Sequence, residues 1–320
     1  MLFMKPRLIS SLIFILITLC NAVAFPETNN GGKEITVRIT DAETKAGIPF
    51  CRMYARASRK GLLTDSAGIG KMNMPSGITR DSLICSSIGY ADTVFIIRPG
   101  EVVDTLSLSM TPRLYPLEEV AVVPPRKTKT LKKGKRHASG IIVTVYTSSR
   151  GTTVAWEAGK KNRRTWLKEI QIQSLQYKDS TSRQKTDSVA RARGQKPRHP
   201  LTAPVRFRIN VFDASEKQRH DYGWSMTGYR NVLHEPVIFT YDVSRIEDNH
   251  FTFTLPEPLL LPETALVEIE QLDDFPENEA IIFKSNVFSK RSLIRYIDDA
   301  EWIKIPASVP FTIILLEEEF

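Results

Sequence analysis

Cysteine is scarce in this sequence: three residues in 320, at positions 20, 51 and 85. That excludes a disulfide-dense scaffold and a cysteine-rich zinc module. Histidine is nearly as sparse, and none of His137, His199, His220, His234 or His250 is followed three residues later by glutamate. The His-x-x-Glu pair that holds zinc in a metallocarboxypeptidase is therefore absent. There is no Gly-x-Ser-x-Gly elbow for nucleophilic hydrolysis, and Gly68-Ile69-Gly70-Lys71 lacks the spacing of a phosphate-binding loop. The paired carboxylates Asp273-Asp274 and Asp298-Asp299 and the run Glu317–Glu319 read as solvated loop ends rather than as a glycosidase pair or a calcium site. Long hydrophobic runs are missing too, apart from the stretch Leu8–Leu19. This falls short of the roughly 20 apolar residues that span a bilayer.

What is present begins with an export signature. Lys5 and Arg7 precede the apolar run, and Ala22-Val23-Ala24 supplies the small residues of a cleavage site. The sequence thus predicts a signal peptide over 1–24 and a mature chain starting at Phe25, with no transmembrane segment. Lipidation at Cys20 is the alternative, and Leu19 before it is a poor fit.

The net charge of +8 is unevenly spread. Arg126–Arg136 carries seven cations and no anion, and Lys178–Pro200 carries a net +5. Once Lys5 and Arg7 are removed with the leader, everything outside those two segments is mildly acidic. Neither segment contains Phe, Tyr or Trp, so the interleaved cations and stacking platforms of a nucleic-acid binder are missing. No nucleic-acid partner is expected.

Period-2 alternation dominates the remainder. Ile35, Val37 and Ile39 alternate with polar residues, Phe50–Ala55 alternates with Cys51 and Met53 on one face, and further strands are expected over 81–87, 93–98 and 103–110. Thr64-Asp65-Ser66-Ala67-Gly68 reads as a tight turn, with Asp65 accepting backbone N–H groups and Gly68 taking a positive φ; a hairpin is expected there. Gly89, within a strand-like pattern, marks a bulge or a close backbone approach, and Tyr90 leaves the strand after it.

The pattern Thr64-Asp65-x-x-Gly68 followed by Leu83-x-x-Ser86-x-x-Gly89-Tyr90, with Gly47-Ile48-Pro49 upstream and Leu117–Val122 closing, resembles the carboxypeptidase-regulatory-like domain of exported Gram-negative bacterial proteins. The resemblance covers 33–123. It implies a transthyretin-like β-sandwich with no catalytic residues and no cofactor. In TonB-dependent receptors such a domain often precedes a TonB-contacting strand, but the chain after Val123 is too short for a plug and barrel. Pro124-Pro125 and the basic run are instead read as a linker, 124–138, joining independent domains.

A second β-sandwich, jelly-roll-like, is expected over 139–320. It is carried by alternation at Ile141/Val143/Val145, Val205–Val211 and Phe251–Leu255, and by strands over 167–177 and 265–271. Leu167–Ile170, Val205–Asp213, Leu266–Glu270 and Trp302 resemble the domain often found after the regulatory-like module. The polar stretch 178–200 is expected to be a disordered loop. The fold class expected is all-β, two sandwiches after a signal peptide.

The function expected is a non-enzymatic interaction or scaffold protein of the periplasm or outer membrane, binding a protein or a glycan. Trp156, Tyr222, Trp224 and Tyr229 are candidates for stacking on sugar rings, the carbohydrate-binding alternative; core packing is the other use of Trp156, Trp166, Trp224 and Trp302. An unrecognised hydrolase is a further alternative. Cys51 and Cys85 both fall on inward positions, which permits a disulfide in an oxidising compartment and equally suits two small buried hydrophobes.

Overall fold

The structure, a computed structural model, describes residues 32–98, 104–113, 127–133, 142–147, 150–159, 162–173, 180–192, 194, 199–214, 230–247, 250–276, 279–298, 303–308 and 311–318. Residues 1–24, expected to be a signal peptide, the segment 117–123, Pro124-Pro125 and Trp302 fall outside these residues.

The regular secondary structure of the described residues is almost all strand, with one helix longer than a single turn. The first sandwich contains β1 (Lys33–Asp41), β2 (Arg52–Ala55), β3 (Lys60–Leu63), β4 (Ile69–Met74), β5 (Asp81–Ser86), β6 (Thr93–Ile97) and β7 (Thr105–Met110). One sheet runs β4-β1-β7 and the other β3-β2-β5-β6. Strand β1 is antiparallel to β4 and parallel to β7. The alternation does what its period requires: Ile35, Val37 and Ile39 enter the core with Met72, Met74, Leu108 and Met110, facing Met53, Leu83 and Cys85 from the opposite sheet.

The Thr64–Gly68 turn has the expected chemistry but a different place in the fold. Asp65 Oδ1 accepts the N–H groups of Ala67 and Ile69 at 2.8 and 2.9 Å, and Gly68 has φ +76°. It does not close a hairpin. Strand β3 pairs with β2 and β4 with β1, so the turn carries the chain from one sheet to the other. Thr64 locks this corner: its hydroxyl donates to Ile48 O at 3.0 Å and accepts from Cys51 N at 2.8 Å. Gly89 lies in the turn after β5 rather than inside the strand, at φ +85°. Tyr90 then donates to Asp41 Oδ2 at 2.9 Å and ties that turn to the end of β1.

The second sandwich contains β8 (Thr128–Lys133), β9 (Ile142–Thr147), β10 (Thr153–Glu157), β11 (Thr165–Gln173), α1 (Ser180–Ala192), β12 (His199–Pro200), β13 (Val205–Asp213), β14 (Arg230–Asn231), β15 (Val237–Tyr241), β16 (His250–Leu261), β17 (Ala265–Gln271), β18 (Glu279–Arg295), β19 (Ile303–Ser308) and β20 (Phe311–Glu318). A large sheet runs β12-β18-β10-β17-β13-β14, with β9 and β19 pairing on β18 and β15 on β13; the facing sheet runs β16-β11-β20-β8. Between them lies one core, with Val154, Ile209, Val211, Val267 and Ile269 from the large sheet and Leu167, Ile170, Phe251, Ile313 and Leu315 from the small one.

Two expectations about flexible segments are corrected. Part of the basic linker, Thr128–Lys133, is strand β8, paired antiparallel with β20 so that Lys129 stands opposite Glu317. Lysines alternating with threonine and leucine suit an edge strand, where they blunt further pairing. The stretch 178–200 contains α1 and the short strand β12 rather than a structureless loop. Its Arg, Gln, Lys and Ala residues are good helix formers, and propensity prevails over low hydrophobicity.

Candidate functional site

The two sandwiches are not separate beads. All four residues of β2 are buried, and so are all seven of β17, which means that both faces of each strand are covered. On β2, Met53 points into the first core together with Cys51 just before the strand, so Arg52 points the other way, toward the second sandwich. On β17, Val267 and Ile269 fill the second core while Glu268 and Glu270 occupy the opposite face. The two outward faces meet, and charge is sealed between them.

Glu270 is the centre of the cluster. Arg52 donates from Nε to Glu270 Oε1 at 3.1 Å, and its Nη2 lies 3.0 Å from the same oxygen. Arg208, directly opposite Glu270 on β13, donates from Nε to Oε2 at 3.1 Å and again from Nη2. Asn210 donates to Glu268 Oε1 at 2.9 Å and to Glu270 Oε2 at 3.3 Å, and Arg295 donates to Glu268 Oε2 at 2.9 Å. Glu268, Glu270, Arg52 and Arg295 are at most 1% exposed. Thr153 and Ala155 lie on β10, the strand between β17 and β18, and their small side chains leave room for the long ones of the cluster.

Backbone carbonyls complete the arrangement. Arg52 Nη2 donates to Gly151 O, and Arg208 Nη1 reaches across to Phe50 O at 2.9 Å. Phe50 adopts φ +51°, a left-handed conformation unusual for a bulky side chain. That conformation accompanies a carbonyl turned to Arg208 and a ring packed with Leu63, Leu272 and Ile297, with the Arg206 guanidinium 5.0 Å above it. Arg206 is itself clamped by Asp273, at 3.0 Å from Nε and 2.6 Å from Nη2. At the far edge, Gly61 N donates to Asp298 Oδ1 at 2.7 Å. A Cβ on Gly61 would lie 1.7 Å from Ile297 O, so only glycine permits this approach.

The electrostatics come from burial set against charge. Burial alone would raise the Glu270 carboxyl, but Arg208 and Arg52 outweigh it and hold the group at about 2. Burial and the neighbouring Arg52 push Arg295 down to about 9, while Glu268 and Glu270 pull the other way. A carboxylate held at about 2 between two guanidiniums is a poor proton donor or acceptor near neutrality. The chemistry available here is cohesion between domains.

Among the residues singled out in the sequence, Thr64, Asp65, Gly68, Gly89 and Tyr90 build the corners of the first sandwich. Tyr90 is pushed up to about 12 by burial and by its bond to Asp41. Cys51 and Cys85 are unbonded buried thiols in the first core, and burial pushes Cys51 up to about 12. Of the four candidate stacking residues, Trp156 is half-buried and packs on the second core, whereas Tyr222, Trp224 and Tyr229 lie outside the described residues. Trp166 is buried. No group of three His, Cys, Asp or Glu among the described residues is placed to hold a metal ion. No helix among them is long and apolar enough to cross a membrane, which says nothing of a β-barrel.

Sequence reasoning missed Arg52, Arg208, Glu268, Glu270 and Arg295. The signal was present as Val205-Arg206-Phe207-Arg208-Ile209-Asn210 beside Leu266-Val267-Glu268-Ile269-Glu270, two strands whose polar faces carry opposite charge. Such faces are complementary when paired, yet each read singly suggests a solvated side.

No family model matches the chain, and no curated protein matches it. Among solved structures, it is similar to a DUF3823 family protein from Bacteroides ovatus ATCC 8483, at 6% identity and a TM-score of 0.21, over 86% of this chain and 96% of that one. A DUF3823 family protein from Parabacteroides merdae ATCC 43184 stands at 7% identity and a TM-score of 0.21 over the same shares of the two chains. The fold described above therefore rests on the chain's own strand pairing.

Proposed function

We propose that this chain is an exported, non-enzymatic interaction or scaffold protein of the periplasm or outer membrane, whose first sandwich is a carboxypeptidase-regulatory-like domain and whose second is jelly-roll-like. The observation that carries the reading is the fate of its buried charge. Arg52, Arg208, Glu268, Glu270 and Arg295 are engaged with one another at and beneath the domain junction, so this buried charge serves cohesion between the sandwiches rather than chemistry. The export signature at the N-terminus and the turn chemistry of Asp65, Gly68 and Tyr90 support the compartment and the family. Its partner is a protein or glycan of the cell envelope.

Cell fractionation with in vivo photo-crosslinking in the native host tests this. The expected result is a chain beginning at Phe25 in the envelope fraction, crosslinked to an envelope protein or glycan. Intact Met1 in the cytosol, or a turnover activity that survives purification to homogeneity, would overturn it.

A further inference from the structure

Two basic runs that lie apart in the sequence meet at one end of the small sheet of the second sandwich. Arg126–Arg136 carries seven cations and no anion, and Lys160–Arg164 carries four cations and no anion. The first run supplies β8, which pairs with β20 so that Thr128 stands opposite Glu318 and Lys129 opposite Glu317. The second leads into β11, which pairs with the other side of β20 so that Thr165 also stands opposite Glu317. Glu318 N donates to Arg164 O at 3.2 Å, and Arg163 Nη1 lies 3.9 Å from Glu317 Oε1. Lys127, Lys129, Arg163 and Arg164 are exposed around this corner, with Lys132 exposed further along β8. The carboxylates beside them are Glu317, buried and engaged with Arg163, half-buried Glu318, and Glu263 on the adjoining β16–β17 turn, whose carbonyl would stand 2.3 Å from a Cβ on Gly159.

The surplus cations are free of internal duties. Among the described residues Lys127, Lys129 and Lys132 form no ion pair and no side-chain hydrogen bond, whereas Lys60 and Lys71 of the first sandwich are paired with Asp298 and Glu34. Unpaired ammonium groups on flexible stems are point charges without a fixed geometry. They suit a surface of many equivalent anions better than one shaped ligand. The same lysines blunt the β8 edge against strand addition, which disfavours an extended peptide as the partner. Neither run offers an aromatic ring on which a base could stack. Leu260, opposite Trp166 on β16 at this end of the sheet, is 37% exposed and adds apolar contact of the kind a bilayer interface accepts. We propose that this corner docks on an anionic phospholipid membrane, the lysines and arginines meeting its phosphates through electrostatic attraction. That attraction depends on the patch alone, whatever protein or glycan the chain also binds.

Co-sedimentation of the purified chain from Phe25 onward with lipid vesicles tests this. Phosphatidylcholine vesicles containing about 30 mol% phosphatidylglycerol should bind the chain at about 0.05 M salt and release it at about 0.5 M, while vesicles of phosphatidylcholine alone should not bind it. Lys127→Gln with Lys132→Gln should weaken partitioning about tenfold, since each cation at an anionic surface contributes about a fivefold change, and the corresponding Lys→Glu pair should weaken it further. Arg164→Glu, in the other run, should act in the same direction. Arg38→Glu, exposed on β1 and carrying the same change of charge, should alter partitioning by less than about twofold. Each variant should keep the wild-type unfolding midpoint, because none of these side chains holds a partner in the fold. Failure to bind anionic vesicles, equal binding to neutral ones, patch variants that bind like wild type, or an Arg38→Glu loss as large as theirs would each overturn the assignment. Retention on polyphosphate without any binding to vesicles would overturn it too, by identifying a soluble polyanion as the partner.

Discussion

Replacing Glu270 by glutamine keeps the shape of the side chain and removes the charge that neutralises Arg52 and Arg208. The named cluster contains three guanidiniums and two carboxylates, so the substitution leaves a buried set with one carboxylate for three cations. Removing one partner from a buried pair costs about 3–5 kcal/mol, because the remaining ions are stranded away from water. Against a total stability of about 5–15 kcal/mol for an ordinary domain this is a large fraction. The pH dependence gives an independent reading. Glu270 is lowered from 4.5 to about 2, so its stabilising contribution is present above pH 4.5 and is lost as pH falls toward 2. A difference of that size corresponds to about 3 kcal/mol at neutral pH. Urea unfolding followed by tryptophan fluorescence, at pH 7 and at steps down to pH 3, separates the two effects. The expected outcome is a lower midpoint for Glu270→Gln at pH 7 and a weaker acid dependence than wild type. Arg52→Met supplies the contrast, since it leaves two cations and two anions and should cost less. The reasoning is refuted if Glu270→Gln unfolds within about 1 kcal/mol of wild type, or if Arg52→Met proves the more damaging change.

Other outcomes rest on single contacts. Gly61→Ala places a Cβ 1.7 Å from Ile297 O and should prise β3 from the second sandwich, read as faster amide exchange at Gly61–Leu63 and a lower midpoint. Gly68→Ala meets both a positive φ of 76° and a Cβ 2.6 Å from Ile39 O, and calorimetry should show a loss of more than about 1 kcal/mol. Cys51 and Cys85 should resist a thiol reagent in the native protein at pH 8, since burial raises both, and react fully once it is unfolded; a count below two in unreduced, denatured protein would show oxidation. Trypsin acting on the native chain should leave the two sandwiches associated after cleavage, because Arg52, Phe50 and Gly61 hold the junction; separate elution of an intact first sandwich under native conditions would contradict the geometry.

What the sequence determined by itself was local. Alternating apolar residues placed β1, β5, β13 and β17 within a residue or two of their observed ends, because a strand with one face in a core has a period that no other element shares. Asp65 and Gly68 announced their turn, since the bonds and the positive φ belong to neighbours in the chain. Cys51 and Cys85 were legible as inward residues from the same alternation, and the tertiary structure alone decided that they remain apart as thiols. Which strands the Asp65 turn connects was a tertiary matter too, as a tight turn joins partners in one sheet or strands in two equally well. The helix over Ser180–Ala192 was hidden because a polar segment carries no apolar period to distinguish helix from loop.

The polar faces of β13 and β17 show the limit most clearly. Alternation identifies a face that is not in the local core, and it is silent on what that face meets. Arg208, Glu268 and Glu270 read like solvated residues, and their burial depends on Arg52, more than 150 residues away in the chain. Only the docking of one sandwich on the other, which brings the Arg52 guanidinium within 3.1 Å of Glu270 and excludes water from the pair, turns a surface pattern into the joint between domains.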